Sequence, residues 1–162
     1  MNDLDARRRA ATHEAAHLVL DWRLGLVIVT ATVDPARVAE GGPGCYGWVK
    51  SELTGPQTLR DPMDSLSDRA TGALGANFAA GSGWSASDWD AARAYADKAW
   101  RRAGRGNEEA WKGHWLNDAR KRAESILREP KSVHATVAVG AVLYEWGTLE
   151  GPEAVLIMEG AA

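Results

Sequence analysis

Residues 6 to 22 read ARRRAATHEAAHLVLDW, and what this stretch forms decides how the rest of the chain can be arranged around it. It sits in a span from Asp3 to about Leu24 that contains neither Gly nor Pro. Asp3 can cap the start and Gly25 can close the end, so the span is predicted to be a helix. On a helix, His13 and His17 lie one turn plus about 40° apart and point the same way, while Glu14 is rotated from His13 by about 100°. Two imidazoles on one face with a carboxylate beside them is the arrangement a zinc hydrolase requires. The imidazoles hold the ion, and the free carboxylate can take a proton from its water. The competing reading is a surface helix on which two unrelated histidines fall four apart.

Working outward, LVIVTATV (26–33) is rich in β-branched residues, is bounded by Asp34-Pro35, and reads as a strand. Beyond a loop that contains GGPG (41–44), CYGWVK (45–50) reads as a shorter second strand. The two are expected to pair as a small antiparallel sheet with an open edge. Residues 55–62 read as loop, and DSLSDRATGALGANFAAG (64–81) as a helix in which Gly72, Ala76 and Ala80, four apart, let a neighbouring backbone come close. SASDWDAARAYADKAW (85–100) begins with serine caps and runs as an amphipathic helix towards the turn at 104–107. EEAWKGHWLNDARKRAESILREP (108–130) follows, ended by Pro130. SVHATVAVGAVLYEW (132–146) is apolar nearly all round and is expected to be buried, and Pro152 is placed to start a last short helix. The fold class is mainly α (α+β): a helical domain with the HEAAH helix and one small antiparallel β-sheet, a single unit over residues 1–162.

Composition narrows the functional classes. With 162 residues and 45% apolar residues the chain can close one core. Net charge is −3, with lysines and arginines spread among acids, so no nucleic acid is expected as a partner despite Arg7-Arg8-Arg9 and Arg101-Arg102. Arg7, Arg8 and Arg9 read as a solvated helix face. The one cysteine, Cys45, cannot form an intrachain disulfide and reads as a small core residue, which points to a reducing compartment. Acids and arginines stand where the apolar core of a signal peptide would be, and no apolar run reaches the roughly 20 residues of a membrane span. A cytoplasmic protein without membrane contact is the expectation. The balance of eight tryptophans to one phenylalanine suggests core anchors or a stacking surface.

A zinc site of this type needs a third protein ligand. His114 lies between tryptophans and His134 near a helix start, where ordinary roles suffice for both. Asp21 is one turn beyond His17, but a helix does not easily present three successive turns to one tetrahedral centre. Asp88, at the start of a later helix, is the better candidate, although an acid just after Ser85 and Ser87 is also what capping and the helix dipole favour.

The residues ARRRAATHEAAHLVLDWRLGL, followed by a strand, resemble the opening of the peptidase domain of FtsH-type ATP-dependent zinc metalloproteases, where an arginine-rich turn precedes His-Glu-Ala-Gly-His. In that family a small sheet, a Gly/Ala-rich helix and a segment Ser/Asn-Asp-Leu-x-x-Ala follow, whose aspartate is the third zinc ligand. Ser87-Asp88-Trp89-Asp90-Ala91-Ala92 resembles that segment, and ARKRAESILREP and GTLEGPEAV resemble the closing helices and the Thr-Leu-x-Gly turn. The resemblance thus spans nearly the whole chain. It implies one Zn²⁺ per chain on His13, His17 and Asp88, with Glu14 as general base in the hydrolysis of peptides or unstructured protein segments. The chain departs from the family at Ala16, usually Gly; at residues 75–80, which lack Gly-Arg-Ala-Ala-Glu; and at Trp89, usually Leu. The sequence holds no phosphate loop of the form G-x-x-x-x-G-K-[ST], so the expected peptidase is ATP-independent in this chain and would depend on loose substrates or a separate unfoldase or delivery partner. The small-residue helix is compatible with a homo-oligomer. Two other readings keep the fold: a zinc-dependent hydrolase of a small-molecule amide, or a non-catalytic binding module.

Overall fold

The structure, a computed structural model, describes residues 3–38, 46–53, 61–80 and 86–162, with backbone alone at 3 and 77–80. Expectations that fall on Cys45, on GGPG, on the Asp3 and Ser85 caps or on the Ala80 side chain lie outside these residues.

The protein is mainly helical with a small antiparallel sheet, as its sequence predicts. Helix α1 (Asp3–Arg23) is followed by strand β1 (Val27–Thr32), a one-turn helix α2 (Pro35–Val38), strand β2 (Trp48–Glu52) and helix α3 (Pro62–Ala80). Helices α4 (Ala86–Ala103), α5 (Glu108–Leu127) and α6 (Pro130–Trp146), strand β3 (Thr148–Glu150) and helix α7 (Gly151–Ala161) complete the chain.

Local chemistry explains most boundaries. Gly25 adopts φ 79°, a left-handed conformation that stops α1 and that a residue with a Cβ would enter only with strain. Asp61 Oδ1 accepts from Met63 N at 2.7 Å, and Pro62 follows it, so α3 starts two residues before the expected Asp64. Pro130 does more than end the preceding helix. It is the first residue of α6, because Glu129 before it is extended (φ −63°, ψ 136°) and a proline at the first turn forfeits no helical hydrogen bond.

The sheet differs from the expected pair. Its order is β2-β1-β3, all antiparallel, with β1 in the middle. The expected strand at 45–50 is displaced to 48–52, and Thr148–Glu150, read from the sequence only as a turn before the last helix, adds a third strand. Three residues are too few for alternation to signal a strand; here the fully buried Leu149 and two threonine hydroxyl bonds hold it. Thr30 Oγ1 donates to Leu149 O, and Thr32 Oγ1 bonds Thr148 Oγ1 at 2.7 Å. Among the described residues nothing pairs with the outer edge of β2, in keeping with the expected open edge.

Helix α1 is the hub, packed chiefly against α3 on one side and α6 on another, with β1 beneath. A first core joins Ala11, Ala15, Ala16, Leu18, Val19 and Leu20 of α1 to the sheet, α5, α6 and α7. A second core lies between α3, α4 and α5 around Leu74, Ala92, Ala96 and Leu116. The expectation that α6 is buried all round does not hold. Val139, Gly140 and Leu143 face α1, while Val137 is 68% and Trp146 61% exposed, because α6 lies at the margin of the domain and only one face meets another layer. Arg7 also departs from a solvated face: its guanidinium lies 5.6 Å from the Tyr144 ring centroid and its Nε is buried. No described helix is long and apolar enough to cross a membrane.

The two faces of α6 make a direct test. Leu143→Ala is expected to cost about 2–5 kcal/mol, as for other buried leucines, and Val137→Ala to stay within about 0.5 kcal/mol. Urea unfolding of both variants checks this, and equal losses would contradict the assigned orientation.

Candidate metal centre

The site begins with the way α1 is held. Ala10, Ala11, Ala15, Ala16 and Leu18 to Leu20 are buried among apolar neighbours, which leaves His13 to face α4, His17 to face α3 and α4, and Glu14 to face Gly47 just before β2. Ala16, the extra methyl relative to the family pattern, is fully buried within the first core, so the packing accepts it.

Asp88 is in the first turn of α4 and reaches both histidines. Its Oδ2 lies 2.9 Å from His13 Nε2, and its Oδ1 lies 3.5 Å from His17 Nε2. The two imidazoles stand edge to face, with centroids 4.9 Å apart. One ligand atom from each of the three residues falls within 4.8 Å of the others, so the group could hold a metal ion.

His17 Nδ1 lies 2.9 Å from the carbonyl oxygen of Gly72 in α3. A carbonyl can only accept, so Nδ1 carries the hydrogen and, in the neutral ring, Nε2 keeps its lone pair. This is the tautomer a metal ligand needs, with the second nitrogen anchored by an outer partner. Glu14 is only 6% exposed and faces Gly47, where a Cβ would sit 2.6 Å from Glu14 Cγ. Only glycine fits there unless the carboxylate moves.

The electrostatics follow from burial. Desolvation pushes the Glu14 carboxyl above its ordinary range, against the pull of the two histidines, while Asp88 adds to the rise. For His17, burial opposes the charged ring, but the hydrogen bond to Asp88 and the charges of Glu14, Asp88 and Asp21 outweigh it and raise the pKa to about 9. Burial also opposes charge on Asp88, yet its bonds to His13 and His17 hold it well below the usual carboxylate range. A metal ion held here would compete with the proton for the same His17 nitrogen.

The other sequence candidates fall elsewhere. His114 and His134 are exposed on α5 and α6 and join neither histidine of α1. Asp21 turns away from the trio and accepts from Ser51 Oγ of β2 at 2.6 Å. The Gly72 carbonyl and the Gly47 contact were missed by sequence reasoning. Gly72 was singled out for close approach, but a backbone acceptor leaves no side-chain pattern to read. A cavity of about 750 Å³ lies between α4 and α5; Trp89, Arg93, Lys112 and Leu116 are among its lining, and the trio and Glu14 are not. No protein-family model and no curated protein matches the sequence.

A prediction concerns protein stripped with a chelator. His17 has a folded-state pKa near 9 against 6.5 unfolded, so its pairing with Asp88 contributes fully below pH 6.5 and is lost as pH rises through 9. Wild type is expected to lose on the order of 1–3 kcal/mol across that window, and Asp88→Asn distinctly less. Urea unfolding at the two ends of the window measures it, and equal losses in both proteins would refute the pairing.

Proposed function

We propose that the chain is a zinc-dependent metallopeptidase acting on peptides or unstructured protein segments, with His13, His17 and Asp88 as ligands and Glu14 as general base. The observation that carries this reading is the convergence of both Nε2 atoms of HEAAH on one carboxylate from a distant helix, beside a buried glutamate. It is supported by the resemblance to FtsH-type peptidase domains, which names Asp88 on motif alone.

The donor set of two imidazoles and one carboxylate suits zinc and leaves a position open for a fourth group. Bound there, the metal would supply Lewis-acid polarisation of a carbonyl and of water. The residues of the chain do the rest. The Gly72 carbonyl orients the His17 ring through Nδ1. A Glu14 carboxylate oxygen takes the proton from the attacking water and later delivers it to the leaving amine nitrogen. Burial of Glu14, by raising its proton affinity, suits both halves of that task. Among the described residues the outer edge of β2 is unpaired and begins next to Gly47, in contact with Glu14, so a substrate backbone added as a strand would run beside the base.

The small-molecule reading calls for a closed pocket of tryptophans around the ligands. The cavity between α4 and α5 contains one tryptophan, Trp89, and none of the proposed ligands. The non-catalytic reading leaves the burial of Glu14 without a use, since removing a carboxylate from water costs free energy.

Native mass spectrometry is expected to find one zinc per wild-type chain and a marked loss in Asp88→Ala; a wild type that takes up no zinc ends the proposal. Glu14→Gln is expected to keep zinc and to cleave a peptide library about 10²–10⁴ times more slowly than wild type. Equal rates would remove Glu14 from the mechanism. Because zinc must displace the His17 proton, apparent affinity is expected to rise with pH up to about 9, which titration against a competing chelator would test.

A further inference from the structure

Asp21 is a carboxylate that the proposed chemistry does not use. It sits in the last turn of α1, one turn beyond His17, where both local terms are against it: aspartate is a poor interior helix residue, and a negative charge at a helix C-terminus opposes the dipole. Local disfavour of this kind is offset by a tertiary role, and such conflicts gather at functional sites.

The contacts show what the role involves. Ser51 Oγ of β2 donates to Asp21 Oδ2 at 2.6 Å. Arg69 Nη1 of α3 donates to both the carbonyl and the hydroxyl of Ser51, each at 3.2 Å. One turn along α3 from Arg69 is Gly72, whose carbonyl accepts from His17 Nδ1 at 2.9 Å. Gly72 is also pressed against Asp21, since a Cβ on it would lie 2.6 Å from Asp21 Oδ1. The path from His17 to Gly72, along α3 to Arg69, across to Ser51, on to Asp21 and back along α1 therefore closes on itself.

We propose that Asp21 and Ser51 are positioning residues of the metal centre: with Arg69 they close a circuit through α1, β2 and α3 that holds the Gly72 carbonyl on His17 Nδ1. The inference rests on reading His13, His17 and Asp88 as metal ligands. Helices α1 and α3 meet here at Gly72, which has no side chain to fix their register at this level; Leu20 against Gly75 interlocks them one turn further along. The Asp21–Ser51–Arg69 link supplies that register at the height of the ligand. Without it, α3 can slide by a fraction of an ångström on α1, and the His17 ring loses its fixed orientation. The same link ties β2 to both helices, so the strand beside Glu14 is held with the ligands.

The test uses the full chain and measures zinc affinity by competition with a chromophoric chelator, together with the visible spectrum of the cobalt(II)-substituted protein. Asp21→Asn and Ser51→Ala are expected to weaken zinc binding about ten- to a hundred-fold, the usual effect of losing an outer partner, and to alter the cobalt spectrum. Ser51→Thr, which keeps the hydroxyl, is expected to restore both. A purely structural role would lower the melting temperature and leave affinity and spectrum unchanged. That result in Asp21→Asn and Ser51→Ala overturns the proposal. If Asp21→Asn does not fold, the Ser51 pair decides the matter. Absence of zinc uptake by wild type would bring down the metal reading and the positioning role together, whereas normal uptake with unresponsive variants would remove the positioning role alone.

Discussion

The hydrogen bond from His17 Nδ1 to the Gly72 carbonyl is the constraint around which the centre is assembled. A helix carbonyl is ordinarily committed to its own helix, and a side chain from a neighbouring helix can reach it only where the two backbones come close. That closeness requires glycine at the crossing, and α3 supplies it at Gly72 and again at Gly75, where a Cβ would collide with Leu20 of α1. Once α3 lies so near α1, α4, which packs on α3 through small alanines, brings the Asp88 end of its first turn over the two histidines. The ring orientation of His17 and the approach of Asp88 therefore share one cause.

The same closeness sets the electrostatic character of the centre. Glu14, His17 and Asp88 are all withdrawn from water, and each alone would resist ionisation or pay for it. Together they are compatible: the charge of Asp88 favours a cation at the imidazoles, and the imidazoles keep Asp88 ionised. A cluster of this kind favours a cation, and in the proposed metal centre pH would decide between a proton and a metal ion. Glu14, packed against Gly47, adds its charge to that balance and has its own proton affinity raised by burial.

The surrounding fold keeps these parts in place with few residues. With β1 flanked by both other strands, β2 becomes an edge strand among the described residues, and Gly47 just before it lies against the helix that carries HEAAH. Helices α6 and α7 and strand β3 complete the core on the far side of α1. They support the hub without contributing a ligand.

Much of this is legible in the sequence. The helix from Asp3 to Arg23, the pairing of His13 with His17 on one face and the nearly all-helical architecture follow from local rules: a span free of Gly and Pro, a spacing of four, and capping and breaking residues at the ends. Asp88 is the preferred third candidate in the sequence, but its position at a helix start is equally that of a dipole partner, and only the resemblance adds a motif to it. Strand β3 was too short to carry a period, and the open face of α6 could not be foreseen because valine and alanine look alike at a core and at a margin. The Gly72 carbonyl, the Gly47 contact and the Asp21–Ser51–Arg69 link belonged wholly to the tertiary structure. Residue periodicity reports how one segment relates to its own axis, whereas these contacts depend on how closely two segments approach, and that distance is set only when the core closes.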